Sequence, residues 1–259
     1  MSTEAKGTRL ITVGSSNAFN HGARANSCFW VADDLGHYLL DCGPSTTQAL
    51  QKLSSNQQVD LSKLDVIYFT HLHGDHIGGI PVLLIELNFS IGRTRPLVLA
   101  GPVHTEERLR ALCEVCYPEM LGKLLNFDLV FIEWNLQAQK TIVNREVTSI
   151  PALHDPNAFP TSLRIKSQNS TICFSGDTGW QEGLLKLSEG SDAFVIECSY
   201  ARAVFSGHIG LDEIERYRSK LQTKKLILTH FGNQARAEAL LKESELNFEV
   251  ADDGKEWLL

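Results

Sequence analysis

The stretch Phe69–Gly79, with the sequence FTHLHGDHIGG, constrains this chain more than any other. His71 and His73 are separated by one residue, so an irregular loop presents them, because a helix would pair side chains three or four residues apart. The glycine that follows lets the chain reverse, so Asp75 and His76 can face another direction. Three histidines and an aspartate within six positions exceed what solvation or core packing requires. The pattern predicts two neighbouring metal positions, and these donors suit zinc, iron or manganese.

The motif H-x-H-x-D-H at these positions resembles the signature of the metallo-β-lactamase superfamily. Further matches lie upstream at Leu40–Gly43 and downstream at His154, Ser175–Thr178 and Leu228–His230, in the order that the family uses. The resemblance covers nearly the whole chain. It implies an α/β fold, a four-layer αβ/βα sandwich in which two mixed β-sheets are flanked by helices.

Carried over position by position, the resemblance implies a complete set of ligands for two metal ions. One ion would be held by His71, His73 and His154, the other by Asp75, His76 and His230, with Asp177 bridging them. It implies two Zn²⁺, with Mn²⁺ or Fe²⁺ as alternatives. Such a pair, roughly 3.5 to 4 Å apart, can hold a bridging hydroxide as nucleophile for hydrolysis. Asp41 resembles the buried aspartate of the family that supports the metal loop.

A later segment indicates which branch of the superfamily the chain resembles. Glu197–Tyr200, followed by Gly207–Asp212, resembles the ribonuclease Z and cyclic-nucleotide phosphodiesterase branch, in which a further histidine faces the metals. The resemblance implies that His208 acts as general acid and that Glu197 holds the His208 imidazole in the tautomer which that role requires. With Asp75, these two are the predicted catalytic residues.

Three kinds of substrate stay open, because lactonases, thioesterases and phosphodiesterases of this superfamily share the ligands. Ribonuclease Z carries a long arm that grips transfer RNA, commonly between the third histidine and the bridging aspartate, and here only residues 155–176 lie there. This departure argues against transfer-RNA processing and favours a small phosphoester such as a cyclic nucleotide. The loop Asn17–Arg24, with His21 and Arg24, resembles a substrate-flanking loop of phosphodiesterases, and a solvated turn is an equal alternative.

Strand and helix patterns alternate along the chain and end repeatedly on polar side chains. Thr171–Ser175 leads to Asp177, Ala193–Glu197 ends in a carboxylate, and Lys225–Thr229 precedes His230 much as Val66–Thr70 precedes His71. We therefore expect these ligands, with His154, to meet at one shared sheet edge. The ending Asn247–Leu259 predicts a closing β-hairpin around Asp252–Gly254.

Composition sets the wider limits. The 259 residues, with 43% hydrophobic and 21% charged content, predict one globular domain over residues 1–259. No membrane span is expected, because no apolar run is long enough to cross a bilayer, and no signal peptide is expected, because Met1–Arg9 is polar. Six scattered cysteines indicate reduced thiols. These features favour a cytoplasmic protein. A net charge of −7 disfavours long nucleic acid as a partner. A homodimer stays open, because relatives in this branch are often dimers.

Overall fold

A computed structural model describes residues 7–259 of the chain. Residues 1–6, on which the expectation about the polar N-terminus partly rests, lie outside the described residues. Within the described part the strands are β1 (Arg9–Gly14), β2 (Cys28–Asp33), β3 (Gly36–Leu40), β4 (Leu64–Tyr68), β5 (Leu97–Pro102), β6 (Leu129–Trp134), β7 (Ala138–Ile142), β8 (Arg145–Pro151), β9 (Thr161–Lys166), β10 (Thr171–Phe174), β11 (Ser191–Glu197), β12 (Thr223–Thr229), β13 (Glu249–Val250) and β14 (Glu256–Leu258).

The helices follow the strands in alternation. They are α1 (Thr46–Ser55), α2 (Gly74–Ile77), α3 (Ile80–Ile85), α4 (Thr105–Cys116), α5 (Gly183–Ser188), α6 (Leu211–Tyr217) and α7 (Asn233–Lys242). Short π-helical turns span Glu86–Ser90 and Met120–Leu124, and 3-10 turns span His21–Ala23, Leu61–Lys63, Pro156–Ala158 and Arg218–Lys220. Across the described range, no helix combines the length and the apolar character needed to span a bilayer.

The strands form two mixed sheets of seven strands each. The first sheet has the order β14-β1-β2-β3-β4-β5-β6 and the second has the order β13-β12-β11-β10-β9-β8-β7. In the first sheet β3 to β6 run parallel and the strands on the β14 side pair antiparallel. In the second sheet β10 to β13 run parallel, whereas β7 to β10 are antiparallel.

Period-two alternation in the strands separates the three apolar layers. In β2, Phe29 and Val31 belong to the core between the two sheets, whereas Trp30 belongs to the core that includes residues of the outer helices α1, α3 and α4. In β10, Phe174 faces the same inter-sheet core and Cys173 faces α5. The strands are therefore apolar on both faces, as expected for sheets covered on both sides. This arrangement confirms the predicted αβ/βα sandwich.

The C-terminal prediction was wrong. β13 and β14 do not pair as a hairpin, because β13 runs parallel to β12 in the second sheet and β14 runs antiparallel to β1 in the first. The segment between them is held by Asp253, whose carboxylate accepts hydrogen bonds from Ser15 N at 3.0 Å and Ala25 N at 2.7 Å. Val250 and Trp257 are buried in different cores, so each strand completes a different sheet.

Two strands were not predicted at all. β7 is mostly exposed and polar, so its residues carry little apolar alternation. β9 has the sequence TSLRIK, in which buried Ser162 and Thr161 stand where the alternation pattern needs apolar residues. All six cysteines have free thiols, as the sequence predicted.

One buried ion pair joins the two sheets. Arg145, at the start of β8, donates from Nη2 to Asp33 Oδ1 at 2.6 Å and from Nε to Asp33 Oδ2 at 2.8 Å. Its guanidinium carbon lies 4.9 Å from the centre of the Tyr38 ring. The side chains of Arg145 and Asp33 are 0% and 2% exposed, so loss of either partner leaves a buried charge without compensation.

We therefore expect Asp33→Ala to lower the free energy of unfolding by about 3–5 kcal/mol, measured by urea titration of the metal-loaded protein. The matched control is Glu256→Ala, which removes a similar two-pronged contact to Arg9 at 2.6 Å and 3.0 Å between side chains that are 38% and 34% exposed. That variant should lose less than about 1 kcal/mol. Equal losses in the two variants would contradict the role assigned to the inter-sheet pair.

Candidate metal centre

The predicted ligands meet at one end of the sandwich, but not at the edge of a single sheet. His71 follows β4 of the first sheet, whereas His154, Asp177 and His230 follow β8, β10 and β12 of the second. The expectation of one shared sheet edge was therefore wrong. The site is assembled across both sheets, with Asp75 in the short helix α2.

Close backbone contacts bring the two loops together. Thr161 N donates to Thr70 O at 2.9 Å, which ties the second sheet to the residue before His71. Gly176 has a φ of +57°, and a Cβ there would lie 2.6 Å from Thr70 Cβ. A side chain at position 176 would thus push Asp177 away from the histidines of the first sheet.

The seven predicted ligands form two adjoining clusters. His71, His73 and His154 place one ligand atom each within 4.8 Å of one another, and so do Asp75, His76, Asp177 and His230. Asp177 lies next to both clusters. Its Oδ1 is 3.3 Å from His76 Nε2, and its Oδ2 is 3.9 Å from His71 Nε2 and 3.3 Å from His230 Nε2.

Each of the five histidines uses its other ring nitrogen for a protein contact. These contacts are His71 Nδ1 to Thr70 Oγ1 at 3.0 Å, His73 Nε2 to Asp155 Oδ2 at 3.3 Å, His76 Nδ1 to Asp41 Oδ2 at 2.8 Å, His154 Nδ1 to the Gly207 carbonyl at 2.8 Å and His230 Nδ1 to Ser199 Oγ at 2.9 Å. The network assigns the proton to these outer nitrogens. The inner nitrogen of each ring then has a lone pair directed at the centre.

The donor set fits divalent metal ions. The buried Nε2 atoms of His71, His76 and His230 have no hydrogen-bond partner, although buried polar atoms are normally paired. Neutral imidazole nitrogens and two carboxylates, Asp75 and Asp177, are the ligand types of zinc hydrolases. The centre therefore offers nitrogen lone pairs that no protein group uses, together with the ligand types that bind such ions.

The electrostatics favour positive charge at the same place. Burial raises the pKa of Asp177, but His230 and His76 outweigh it and lower the pKa well below its usual range. Burial also lowers the pKa of His76, yet the carboxylates of Asp177, Asp75 and Asp41 raise it well above normal. Burial, followed by His76, lowers the pKa of His71. The three carboxylates place negative charge in a buried site, and that charge must be balanced by positive charge. A bound divalent ion can supply it in place of protons on the histidines.

The predicted supporting role of Asp41 agrees with its contacts. This fully buried carboxylate accepts from Thr70 N, Thr70 Oγ1 and His76 Nδ1, each at 2.8 Å. The Thr70 hydroxyl gives its proton to the hydrogen bond with Asp41, so its oxygen lone pairs can accept a hydrogen bond from His71 Nδ1. One aspartate thus orients two histidines of the motif.

Two residues with the same kind of role were missed in the sequence. Asp155 faces the outer nitrogen of His73, and Ser199 faces that of His230 while donating to Glu197 Oε2 at 2.5 Å. Asp155 directly follows His154, and that adjacency was the available signal. Ser199 lies inside the matched segment Glu197–Tyr200, but no role was assigned to it, since a serine after a strand is common.

His208 and Glu197 lie beside the metal cluster. His208 Nδ1 is 2.8 Å from Glu197 Oε1, and its ring centre is 4.8 Å from that of His154 and 5.7 Å from that of His230. The Glu197 carboxylate is buried and also accepts from Thr178 N at 2.7 Å. Burial alone would lower the pKa of His208, but Glu197 raises the pKa of His208 to about 9.

A cavity of about 330 Å³ opens over these side chains. Its walls are Asn17, Ala18, Phe19, His73, Asp75, His154, Asp177, Ser199, Tyr200, Phe205, His208 and His230. The first part of the loop Asn17–Arg24 therefore flanks the cavity. Arg24 does not, because its guanidinium donates to the carbonyls of Ser15 at 3.1 Å and Phe231 at 3.3 Å.

Residues 8–253 match the sequence model of a protein family described as "Anti-Pycsar protein Apyc1". The chain belongs to this family. It is also 27% identical to ribonuclease Z of Methanothermobacter thermautotrophicus, over 83% of this chain and 84% of that protein. The Apyc1-family chain is a metallo-β-lactamase superfamily protein and a metal-dependent hydrolase.

Solved structures with low sequence identity share the fold. The metallo-β-lactamase fold protein YhfI from Bacillus subtilis superposes with a TM-score of 0.76 at 21% identity, covering 97% of this chain and 99% of YhfI. A diphosphatase of the PhnP family superposes with a TM-score of 0.74 at 16% identity, covering 97% and 98%. Both confirm the architecture that the sequence predicted.

Elemental analysis of the purified protein should find about two transition-metal equivalents, and their removal by chelation should abolish hydrolysis. Asp177→Ala should lower occupancy of both positions, because that carboxylate adjoins both clusters, whereas His230→Ala should mainly empty one. His104→Ala, which changes an exposed histidine paired with Glu107, is the matched control and should keep both ions. Retention of two tightly bound ions in Asp177→Ala would refute the bridging assignment.

Proposed function

We propose that this chain is a dinuclear zinc phosphodiesterase that hydrolyses small phosphodiesters such as cyclic nucleotides. The observation that carries the proposal is the pair His208–Glu197 beside the two ligand clusters. A protonated imidazole in that place serves a reaction in which a poor leaving group must take up a proton. Phosphodiester hydrolysis with an alkoxide leaving group is such a reaction.

The ions, when bound, supply Lewis-acid polarisation of the phosphoryl group and activation of water. The residues of the chain orient the substrate and move the proton. His208 Nδ1 donates to Glu197 Oε1, which leaves Nε2 to carry the transferable proton. Glu197 is fixed in turn by Thr178 N and Ser199 Oγ, so the imidazole is held in one tautomer without reorganisation.

The cavity supports a small substrate. Its volume of about 330 Å³ is at the lower end of the range for small-molecule sites, roughly 300 to 1,000 Å³. Neither lysine nor arginine is among the described residues that line it. Proteins that track a nucleic-acid backbone use such basic side chains, so the proposed partner is a small phosphoester and not a long nucleic acid.

A ribonuclease Z-like endonuclease is the second candidate, and the 27% identity to a ribonuclease Z favours it. Both reactions cleave a phosphodiester, so the proposed roles of His208 and Glu197 are the same in either. Residues 155–176, however, form the 3-10 turn at Pro156–Ala158 and the paired strands β9 and β10, and contain no projecting arm. A lactone or thioester hydrolase would have no need of a proton donor at His208.

The role of His208 is tested by comparing two leaving groups. Expulsion of the ribose alkoxide of a cyclic nucleotide needs a proton, whereas a nitrophenolate from bis(4-nitrophenyl) phosphate leaves without one. His208→Ala should therefore lower kcat by about 10²- to 10⁴-fold on the cyclic nucleotide and far less on the aryl ester. Metal content, measured on the same preparations, should stay at the wild-type value. Equal losses on both substrates, or loss of metal, would contradict the general-acid role.

The pH profile tests the contribution of Glu197. Because the Glu197 carboxylate raises the pKa of His208, the active protonated form is present below that pKa and is lost as pH rises through it. Glu197→Gln should lower the pKa and move the alkaline limb of kcat for a cyclic nucleotide to lower pH. The aryl ester should show no such shift. The control Glu146→Gln alters an exposed carboxylate 3.7 Å from Lys166 Nζ and should leave the limb in place. An unmoved limb in Glu197→Gln would contradict the proposed coupling.

A further inference from the structure

The guanidinium of Arg24 is buried behind the loop that flanks the cavity. Only 9% of the residue is exposed. Its Nη1 donates to the Ser15 carbonyl at 3.1 Å and to the Ser15 hydroxyl at 3.2 Å, and its Nη2 donates to the Phe231 carbonyl at 3.3 Å. One side chain therefore joins the segment after β1 to the residue that directly follows the predicted ligand His230.

The backbone of His230 has an uncommon conformation. Its φ is +59°, in the left-handed region that residues other than glycine seldom adopt. Such a conformation persists where neighbouring groups fix it. The strand β12 ends one residue earlier, the chain turns at His230, and its Nε2 lies 3.3 Å from Asp177 Oδ2. The direction of this ring therefore depends on how the backbone after it is held.

The next residue, Phe231, is fixed at both of its backbone polar groups. Its N–H donates to the Ser15 carbonyl at 3.1 Å, and its carbonyl accepts from Arg24. Its side chain is fully buried in the core that includes residues of β11 and β12. Ser15 and Arg24 thus hold the residue after His230 from two sides, and Arg24 holds Ser15 as well.

The charge of Arg24 is compensated from the C-terminal segment. Ser15 Oγ donates to Asp253 Oδ1 at 2.9 Å while it accepts from Arg24, so one hydroxyl links the guanidinium to the carboxylate. Burial and then the nearby Arg236 lower the pKa of Arg24, and the charge of Asp253 opposes both effects. A buried guanidinium needs such compensation, and its rigid fork of donors can join two carbonyls at once.

We propose that Arg24 is a positioning residue of the metal centre, which holds His230 in the direction needed at the metal position formed with Asp75 and His76. The effect passes through the Phe231 backbone and needs no contact between Arg24 and an ion. Among the predicted ligands, only His230 directly precedes Phe231 in the chain, so the other metal position should not depend on Arg24. The inference concerns metal binding and is independent of which ester the protein hydrolyses.

The test measures zinc affinity by competition with a chelator on the complete chain and resolves the two equivalents. Arg24→Met removes the donors and the charge but keeps a long side chain. It should weaken one equivalent by about 10- to 100-fold, the usual effect of losing a group that orients a metal ligand, and change the other by less than about 2-fold. Arg24→Lys keeps the charge without the fork and should have an intermediate affinity.

Arg93→Met is the matched control for loss of a buried arginine. Arg93 is 4% exposed, and its guanidinium also donates to two backbone carbonyls, those of Leu64 and Pro96. These lie at the start of β4 and just before β5, whereas the ligands follow the ends of strands. This variant should lose stability to urea and keep both zinc affinities. Equal weakening of zinc binding in Arg93→Met would overturn the inference, because general destabilisation would then explain the effect.

A double-mutant cycle with His230→Ala tests the route of the effect. If Arg24 acts through His230, Arg24→Met should cause no further loss of zinc affinity in a chain that already lacks the imidazole. An additive loss would overturn the inference, and so would wild-type affinities in Arg24→Met. If Arg24→Met does not fold, Arg24→Lys enters the same cycle with the same expected non-additivity, and an additive loss there has the same meaning.

Discussion

Four histidine nitrogens, contributed from both sheets, lie within 4.0 Å of the Asp177 carboxylate. The distances are 3.9 Å to His71, 3.3 Å to His76, 4.0 Å to His154 and 3.3 Å to His230. A carboxylate that is only 4% exposed is costly to bury unless positive charge compensates it. An unprotonated imidazole nitrogen carries no positive charge, so the compensation would come from bound cations, toward which each of these rings turns a lone pair.

The sandwich supplies the rigidity that this arrangement needs. The predicted ligands follow strands of two different sheets, so a small displacement of one sheet relative to the other would move some of them away from the rest. The inter-sheet core with Phe29 and Phe174 opposes such a displacement, as does the buried Arg145–Asp33 pair. The backbone contact of Thr161 with Thr70 fixes the separation next to the site itself. Sites held on packed elements are better preorganised than sites on free loops.

The sequence predicted much of this because its strongest signals are local. The spacing of His71, His73, Asp75 and His76 predicts the loop that carries the candidate ligands, and apolar runs such as Val66–Thr70 predict buried strands. Signals that depend on contacts distant in sequence were weaker. The segment Asn247–Leu259 has the local chemistry of a hairpin, yet its strands pair with β12 and β1, more than a hairpin's length away in the chain. Asp155 and Ser199 orient ligands through contacts that no spacing rule reports.

The central claim is that the chain holds two metal ions between its two sheets, with Asp177 shared by both. The most direct measurement is anomalous X-ray scattering at the zinc absorption edge from crystals of the zinc-loaded protein. The account predicts two peaks, one among His71, His73 and His154 and one among Asp75, His76 and His230, with Asp177 contacting both. A single peak, or peaks away from Asp177, would contradict it.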